Sequence, residues 1–549
     1  MTVACVAAAI LLPAPAAANV EDASALTAYI RARAADSSGA AELAARNYGA
    51  ALALAPDNEV LAARALSQAI AAGDRALALR AARSLDSAGK LAPDGRLLLV
   101  GEAFRTKQWK QAGGQIERLE QDEVFSFMTP LLRAWLAHGS GRSDPLSLLE
   151  ASPGNALAAT YASEHRPLLL LAGGKAKEGV LALAPLLEDE SIRSQRLRIA
   201  AAAMLVRKGG SKEALAILQG DGEALAEARR RIAAGRRLGG EIVTPAAGMA
   251  ELLGRMALDL NGQEVPQLAL SFARLATFLA PENAESWLIA ADLLSGQGRH
   301  EAALAALARV PLDDVFAATA ADRRMTVLVQ ADRTSEALAE ARQAAADRPA
   351  EIDNWTRLGD ILNQTKRHQE AAAAYAKALD LVKAGSSTQN PLWALWLLQG
   401  SALTQAGDWK AGKAALEEAR RLAPNQPVVL NFLGYSQLER RENLAEAEKM
   451  IGEASRLQPD DAAITDSLGW AHYVRGDVAR AIELLERAAQ GQPADAAIAE
   501  HLGDAYYSAG RRFEARYAWR AALHYAEGAA ADRLRTKIDT GLRPDLAAP

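Results

Sequence analysis

"DSLGWAHYVRGDVARAIELLERAAQGQP", residues 466–493, and "EHLGDAYYSAGRRFEARYAWRAAL", residues 500–523, carry the same leucine–glycine pair 34 residues apart, at Leu468-Gly469 and Leu502-Gly503. The aromatic and acidic residues around those pairs resemble a site. Recurrence at a fixed spacing, however, is first the mark of stacked repeats. The period extends towards the N-terminus. Segments of 34 residues begin at 250, 284, 318 and 352, and after an insertion they resume at 393, 427, 462 and 496, with one extra residue in the 427 segment.

Each segment places the same chemistry at the same offset. The eighth position is small in seven of the eight, as Ala257, Ala291, Gly359, Gly400, Gly434, Gly469 and Gly503, and Met325 departs. The twentieth is likewise small, as Ala269, Ala303, Ala337, Ala371, Gly412, Ala481 and Ala515. Small residues let two helices approach where their ridges cross, and larger neighbours fill the grooves between. The fillers are Leu260, Leu294, Leu328, Leu362 and Leu403 on the first helix, and Tyr375, Leu416, Leu485 and Trp519 on the second. Gly298, Gly407, Gly476 and Gly510 mark the turn between helices, where a left-handed backbone ends the first one. Pro281, Pro349, Pro424, Pro459 and Pro493 close the second helix, since proline cannot continue the hydrogen-bond ladder.

Composition agrees. Half of the 549 residues are hydrophobic but only 5% are aromatic. Alanine, the strongest helix former, dominates, and alternating runs of β-branched residues are nearly absent; an all-α protein is expected. The 62 basic and 67 acidic residues leave a net charge of −5, which gives no basic face for nucleic acid. The densest basic stretch, "EARRRIAAGRRLGG" at 227–240, reads as a solvated helix end. Cys5 is the single cysteine, so an intrachain disulfide and a thiolate metal site are both excluded.

The period and offsets resemble those of the tetratricopeptide repeat (TPR), and "NWTRLGDILNQTKRHQEAAAAYAKAL", residues 354–379, lies close to that pattern. The resemblance implies a TPR superhelical solenoid of about thirteen helical hairpins. Residues 250–529 form eight repeats, with an insertion loop at 386–392. Residues 25–249 hold degenerate repeats beginning near 25, 59, 93, 160 and 195, with a poorly kept rhythm at 127–159. "IAAGRRLGGEIVTPAAGM", residues 232–249, breaks the rhythm and marks a boundary or a change in superhelix direction. Residues 530–549 start as a charged helix, "AADRLRTKI", suited to capping the last repeat, and turn into a disordered tail after "GLRP".

Residues 3–12, "VACVAAAILL", followed by "PAPAAANVED", fit a secretory signal peptide over residues 1–18, with cleavage after Ala18, although no lysine or arginine precedes Arg31. The run is too short to span a bilayer. Residues around Cys5 only partly match a lipid-attachment box, so export to the periplasm is expected and a lipid anchor is not; peripheral membrane association is compatible with either.

Catalytic chemistry is not visible. "GDWKAGKA", residues 407–414, has phosphate-loop spacing, but Ala414 stands where a hydroxyl must hold magnesium and no strand precedes it. His472 and His501 lie in neighbouring repeats without further zinc ligands in register. No enzyme, metal or cofactor is expected. In the TPR family, the groove is lined by the second, fifth, ninth, twelfth and thirteenth positions. Those offsets imply a partner-binding set of Asn431, Tyr435, Asp466, Trp470, Tyr473, Glu500, Asp504 and Tyr507. Aromatics beside carboxylates suit an extended peptide or protein segment, the acids favouring basic or amide groups. Asp466, Glu500 and Asp504 would repel the carboxylate that chaperone-binding members clamp.

The run from "LNFLGYSQLERRENLAEAEKMI" to "RYAWRAAL" is similar to large exported proteobacterial TPR proteins, among them adaptor lipoproteins of carboxyl-terminal processing proteases. That resemblance implies a non-catalytic envelope scaffold, with an envelope protease as a partner. The alternative is a cytoplasmic TPR regulator or assembly chaperone.

Overall fold

The computed structural model describes residues 24–122, 124–150, 156–189, 191–220, 222–385 and 391–548. The expected signal peptide with Cys5, and residues 386–390 of the insertion, lie outside them. Among the described residues there are thirty α-helices and no strand, so the fold is all-α, built from successive helical hairpins. No described helix is long and apolar enough to cross a membrane. The chain divides into two compact units, residues 1–331 and 332–549.

The helices start where the periodicity places them. First helices run Ala284–Gly296, Ala317–Gln330, Ile352–Gln364, Leu392–Gln405, Pro427–Glu439, Ala462–Val474 and Ala496–Ser508. Each is followed by an antiparallel partner, as Val478–Gly491 follows Ala462–Val474 and Arg512–Tyr525 follows Ala496–Ser508. The earliest regular repeat starts at Pro245, five residues before the expected 250, because Thr244 caps the helix by accepting from the Ala247 N–H. In the degenerate half, helices begin at Ala25, Glu59, Pro93, Ala156 and Ile192.

The small eighth position is a steric requirement. A Cβ on Gly469 would lie 2.8 Å from Leu485, and one on Gly400 2.7 Å from Leu416, both inside van der Waals contact. The turn has a separate requirement. Gly476 and Gly510 sit there at φ of 88° and 80°, and at the equivalent turns Glu264, Asp332, Lys366 and Arg441 hold φ of 53–60°. A side chain in that region costs about 1–2 kcal/mol, partly offset by glycine's greater freedom when unfolded. Lys366→Gly is therefore expected to stabilise its unit by up to about 1 kcal/mol, read as a raised urea midpoint; a lowered midpoint would contradict this account.

The first unit departs from simple nearest-neighbour stacking. The Pro266–Leu279 helix packs on the Glu59–Ala72 and Pro93–Arg105 helices, and Pro245–Gly262 packs on Thr129–Ser140. Gly101 makes room for Leu279, Gly248 for the Trp135 ring, and the Arg274 guanidinium donates to the Ala71 carbonyl at 3.3 Å. Residues 232–249 are thus a crossing inside one compact unit, and the division falls at 331/332 instead. The sequence rhythm breaks at 232–249 because the chain leaves the helical hairpin there, while packing continues across the break.

In the second unit the successive first helices Leu392–Gln405, Pro427–Glu439, Ala462–Val474 and Ala496–Ser508 touch one another and form a continuous face. The Gly528–Thr540 helix packs on Arg512–Tyr525. The tail expected to be disordered is instead ordered through Ala548. It forms a 3-10 turn at Pro544–Leu546, closed by the Leu546 N–H on the Arg543 carbonyl at 2.9 Å.

Candidate peptide-binding face of the C-terminal repeats

The family offsets gather their residues on one face of the second unit, where most are already engaged by the chain itself. Trp470 is 3% exposed. Its indole stacks between Tyr473, at 4.6 Å between centroids, and His501, at 4.1 Å, both at 15° between planes. The Tyr473 hydroxyl shares a hydrogen bond of 2.9 Å with the Ser508 hydroxyl. Tyr435 packs against the cluster that contains Trp470, its ring 6.4 Å from His501. Asn431 is half-buried on the neighbouring helix, with its Oδ1 buried and unpartnered among the described residues.

The three carboxylates are buried in ion pairs. Asp466 accepts from His501 Nδ1 at 2.9 Å. Glu500 takes the Arg533 guanidinium through two hydrogen bonds of 2.8 Å and the Lys537 ammonium at 2.6 Å. Asp504, with no exposed surface, accepts from Lys537 at 2.8 Å, from the Trp519 indole N–H at 2.8 Å and from the Ala548 N–H at 2.9 Å. Burial and the two cations oppose each other at Glu500, and the bonds to Arg533 and Lys537 leave its pKa below the ordinary value. At Asp504 burial outweighs the pull of Lys537, and the pKa is raised. These acids do not present free charge to a partner in this arrangement; the Gly528–Thr540 helix supplies the cations of Glu500 and Asp504, and His501 on the Ala496–Ser508 helix that of Asp466.

Sequence reasoning missed Lys537 and Arg533. A signal was present: Glu500 and Asp504 are four residues apart on one helix, and Arg533 and Lys537 are four apart on the other, the spacing that puts side chains on one helical face. His501 and His472 have different partners. His501 is the ion-pair partner of Asp466, while His472 stands 3.8 Å from Asp477.

Burial alone would lower the His501 pKa, but Asp466, with Asp504 and Glu500 adding their fields, raises it above the ordinary value. Glu439 and the Tyr435 ring also face it. A raised folded-state value means that this pair stabilises fully below about pH 6.5, the unfolded value, and its contribution is lost as pH rises through the folded value. The second unit is expected to lose stability as pH rises above about 6.5, measured by amide exchange in the Ala496–Ser508 helix. His501→Gln should flatten that slope; an unchanged slope would remove the assignment.

What remains open to a partner is a cavity of about 800 Å³. Its walls include Trp470, Tyr473, Val474 and Tyr507 from the repeats, and Leu542, Pro544, Ala547 and Ala548 from the tail. Of the eight expected residues, Trp470, Tyr473 and Tyr507 reach it. Tyr507 also packs on Trp519, at 5.5 Å between centroids. The geometry offers aromatic and aliphatic surface to an extended segment.

The repeats at 324–387 and 433–533 are tetratricopeptide repeats: the TPR profile matches residues 324–387, 433–496 and 467–533. A stretch of 58 residues is 43% identical to a TPR repeat-containing protein of Pseudomonas aeruginosa. That stretch is 11% of this chain and 10% of the relative, so the chain spans about a tenth of the length of the curated relative it matches. Among solved structures, the APC/C hetero-tetramer Cut9–Hcn1 is 15% identical with a TM-score of 0.38, over 95% of this chain and 99% of that one. Yeast Tom70 is 12% identical with a TM-score of 0.38, over 94% and 95%. Pseudomonas aeruginosa pilF is 20% identical with a TM-score of 0.29, over 36% and 86%.

Proposed function

We propose that the chain is a non-catalytic adaptor of the bacterial cell envelope, whose C-terminal repeat face takes an extended segment of a protein partner, in its sharpest form an envelope protease or that protease's substrate. The observation that carries this reading is the face itself: first helices of successive TPR hairpins present Trp470, Tyr473 and Tyr507 around a cavity of about 800 Å³, a lining suited to anchoring a peptide. The apolar run at 3–12 and the small residues at 16–18 support export. Fractionation with N-terminal sequencing tests the location: a periplasmic protein beginning at Asn19 is expected. Recovery in the cytoplasm with residues 1–18 retained would favour the regulator or assembly-chaperone alternative. Capture from an envelope extract tests the partner, and recovery of neither a protease nor any other envelope protein would sink the adaptor role.

A further inference from the structure

Residues 541–548 occupy part of the face on which the proposed function rests. Gly541 sits against the Tyr507 ring, Leu542 joins the cluster around Trp519, and Ala548 is 8% exposed in the cluster that holds Trp470. The Ala548 N–H is taken by Asp504 at 2.9 Å. The hold is slight. Arg543, Pro544 and Asp545 are exposed, and Arg543 and Asp545 pair with each other in solvent at 3.0 Å. Segments with few buried apolar contacts open at low cost. The fit is also incomplete, since Ala547 and Ala548 line the cavity of about 800 Å³ without filling it.

We propose that the face of the Pro427–Glu439, Ala462–Val474 and Ala496–Ser508 helices binds an extended polypeptide segment that gives one backbone N–H to Asp504 and a large apolar side chain to the cavity beside Trp470, and that residues 541–548 hold this site until such a segment displaces them. This rests on the reading of the face as a protein-binding surface, and it adds the partner's chemistry and its internal competitor. The tail shows the register: a small residue at 548 presents its N–H where Asp504 accepts, and the side chain at 547, half-buried at the cavity wall, points to where larger apolar groups gain. A leucine at this open wall would bury about two more methylene equivalents than alanine, which corresponds to about tenfold in affinity. Because the tail is tethered, its effective concentration is on the order of millimolar, and a free peptide of the same sequence competes poorly.

The test uses two labelled peptides, Gly-Leu-Arg-Pro-Asp-Leu-Ala-Ala, which copies residues 541–548, and the same peptide with leucine at its seventh position. Binding is read by fluorescence anisotropy against the full chain and against a chain ending at Thr540. At least tenfold tighter binding to the shortened chain is expected, with the leucine peptide about tenfold tighter than the alanine one. If the shortened chain does not melt cooperatively, the full chain carrying Ala548→Pro, which lacks the donor to Asp504, replaces it with the same expectation. In the unaltered full chain, excess leucine peptide should speed amide exchange at residues 546–548. Equal binding of both peptides to the full and released chains, with tail exchange unchanged, overturns the proposal. The full chain with Ala547→Leu separates the two readings: its own tail should fill the cavity and cut partner capture at least tenfold. Capture undiminished by Ala547→Leu sinks this inference and leaves the adaptor role standing, whereas peptide binding without any envelope partner does the reverse.

Discussion

Lys537→Met is expected to destabilise the C-terminal unit by about 3–5 kcal/mol, the range for breaking a buried ion pair from one side. The ammonium has no exposed surface and bonds Glu500 at 2.6 Å and both Asp504 oxygens at 2.8 Å. Removing it leaves Asp504 with the Trp519 and Ala548 N–H groups but no directly bonded cation, while Arg533 continues to neutralise Glu500. Asp504 already has a raised pKa from burial, and losing the cation raises it further. A raised folded-state value gives stability that is present at low pH and lost as pH rises. The penalty should therefore be smaller near pH 4 than at pH 7. Amide exchange in the Ala496–Ser508 and Gly528–Thr540 helices reads both effects; a loss under about 1 kcal/mol at pH 7, or one independent of pH, would mean that the charges are solvated.

Trp519→Ala is expected to cost about 3–5 kcal/mol, as do other large-to-small changes of fully buried aromatics. The ring lies between Gly503, whose missing side chain admits it, and Tyr507, and its N–H bonds the buried Asp504. Trp519→Phe keeps most of the volume and should cost about 1.5–3 kcal/mol, the range for a hydrogen bond to a charged group. Gly503→Ala alone drives a methyl into the indole and should cost about 1–3 kcal/mol. Placed on Trp519→Ala, the same change enters the vacated space and should cost far less. Such non-additivity is the signature of direct contact. Additive losses in a urea-denaturation cycle would show that the glycine is not there for the tryptophan.

The face at Trp470 shows where sequence reasoning held and where it stopped. Family offsets gathered Asp466, Trp470, Tyr473, Glu500, Asp504 and Tyr507 in one place, because every repeat turns the same positions to the same side. They were silent on charge state. Three carboxylates that suggested a partner's cations are paired with His501, Arg533 and Lys537 of the same chain. The offsets also gave no account of the segment after Thr540: an Ala- and Pro-rich run has too little apolar content to order itself, and it is ordered by Tyr507, Trp470 and Asp504.

Local chemistry alone determined the helices, their small crossing positions and the left-handed turns, since each follows from contacts within about one repeat length of chain: Gly469 needs Leu485, and Gly476 needs only its own backbone. Tertiary structure decided the rest. The unit boundary at 331/332, the return of the Pro266–Leu279 helix onto Glu59–Ala72, and the closing of the Trp470 face by residues 528–548 all depend on groups brought together from distant stretches of chain. A period records what each repeat demands of its neighbour, and it carries no record of contacts that only one copy makes.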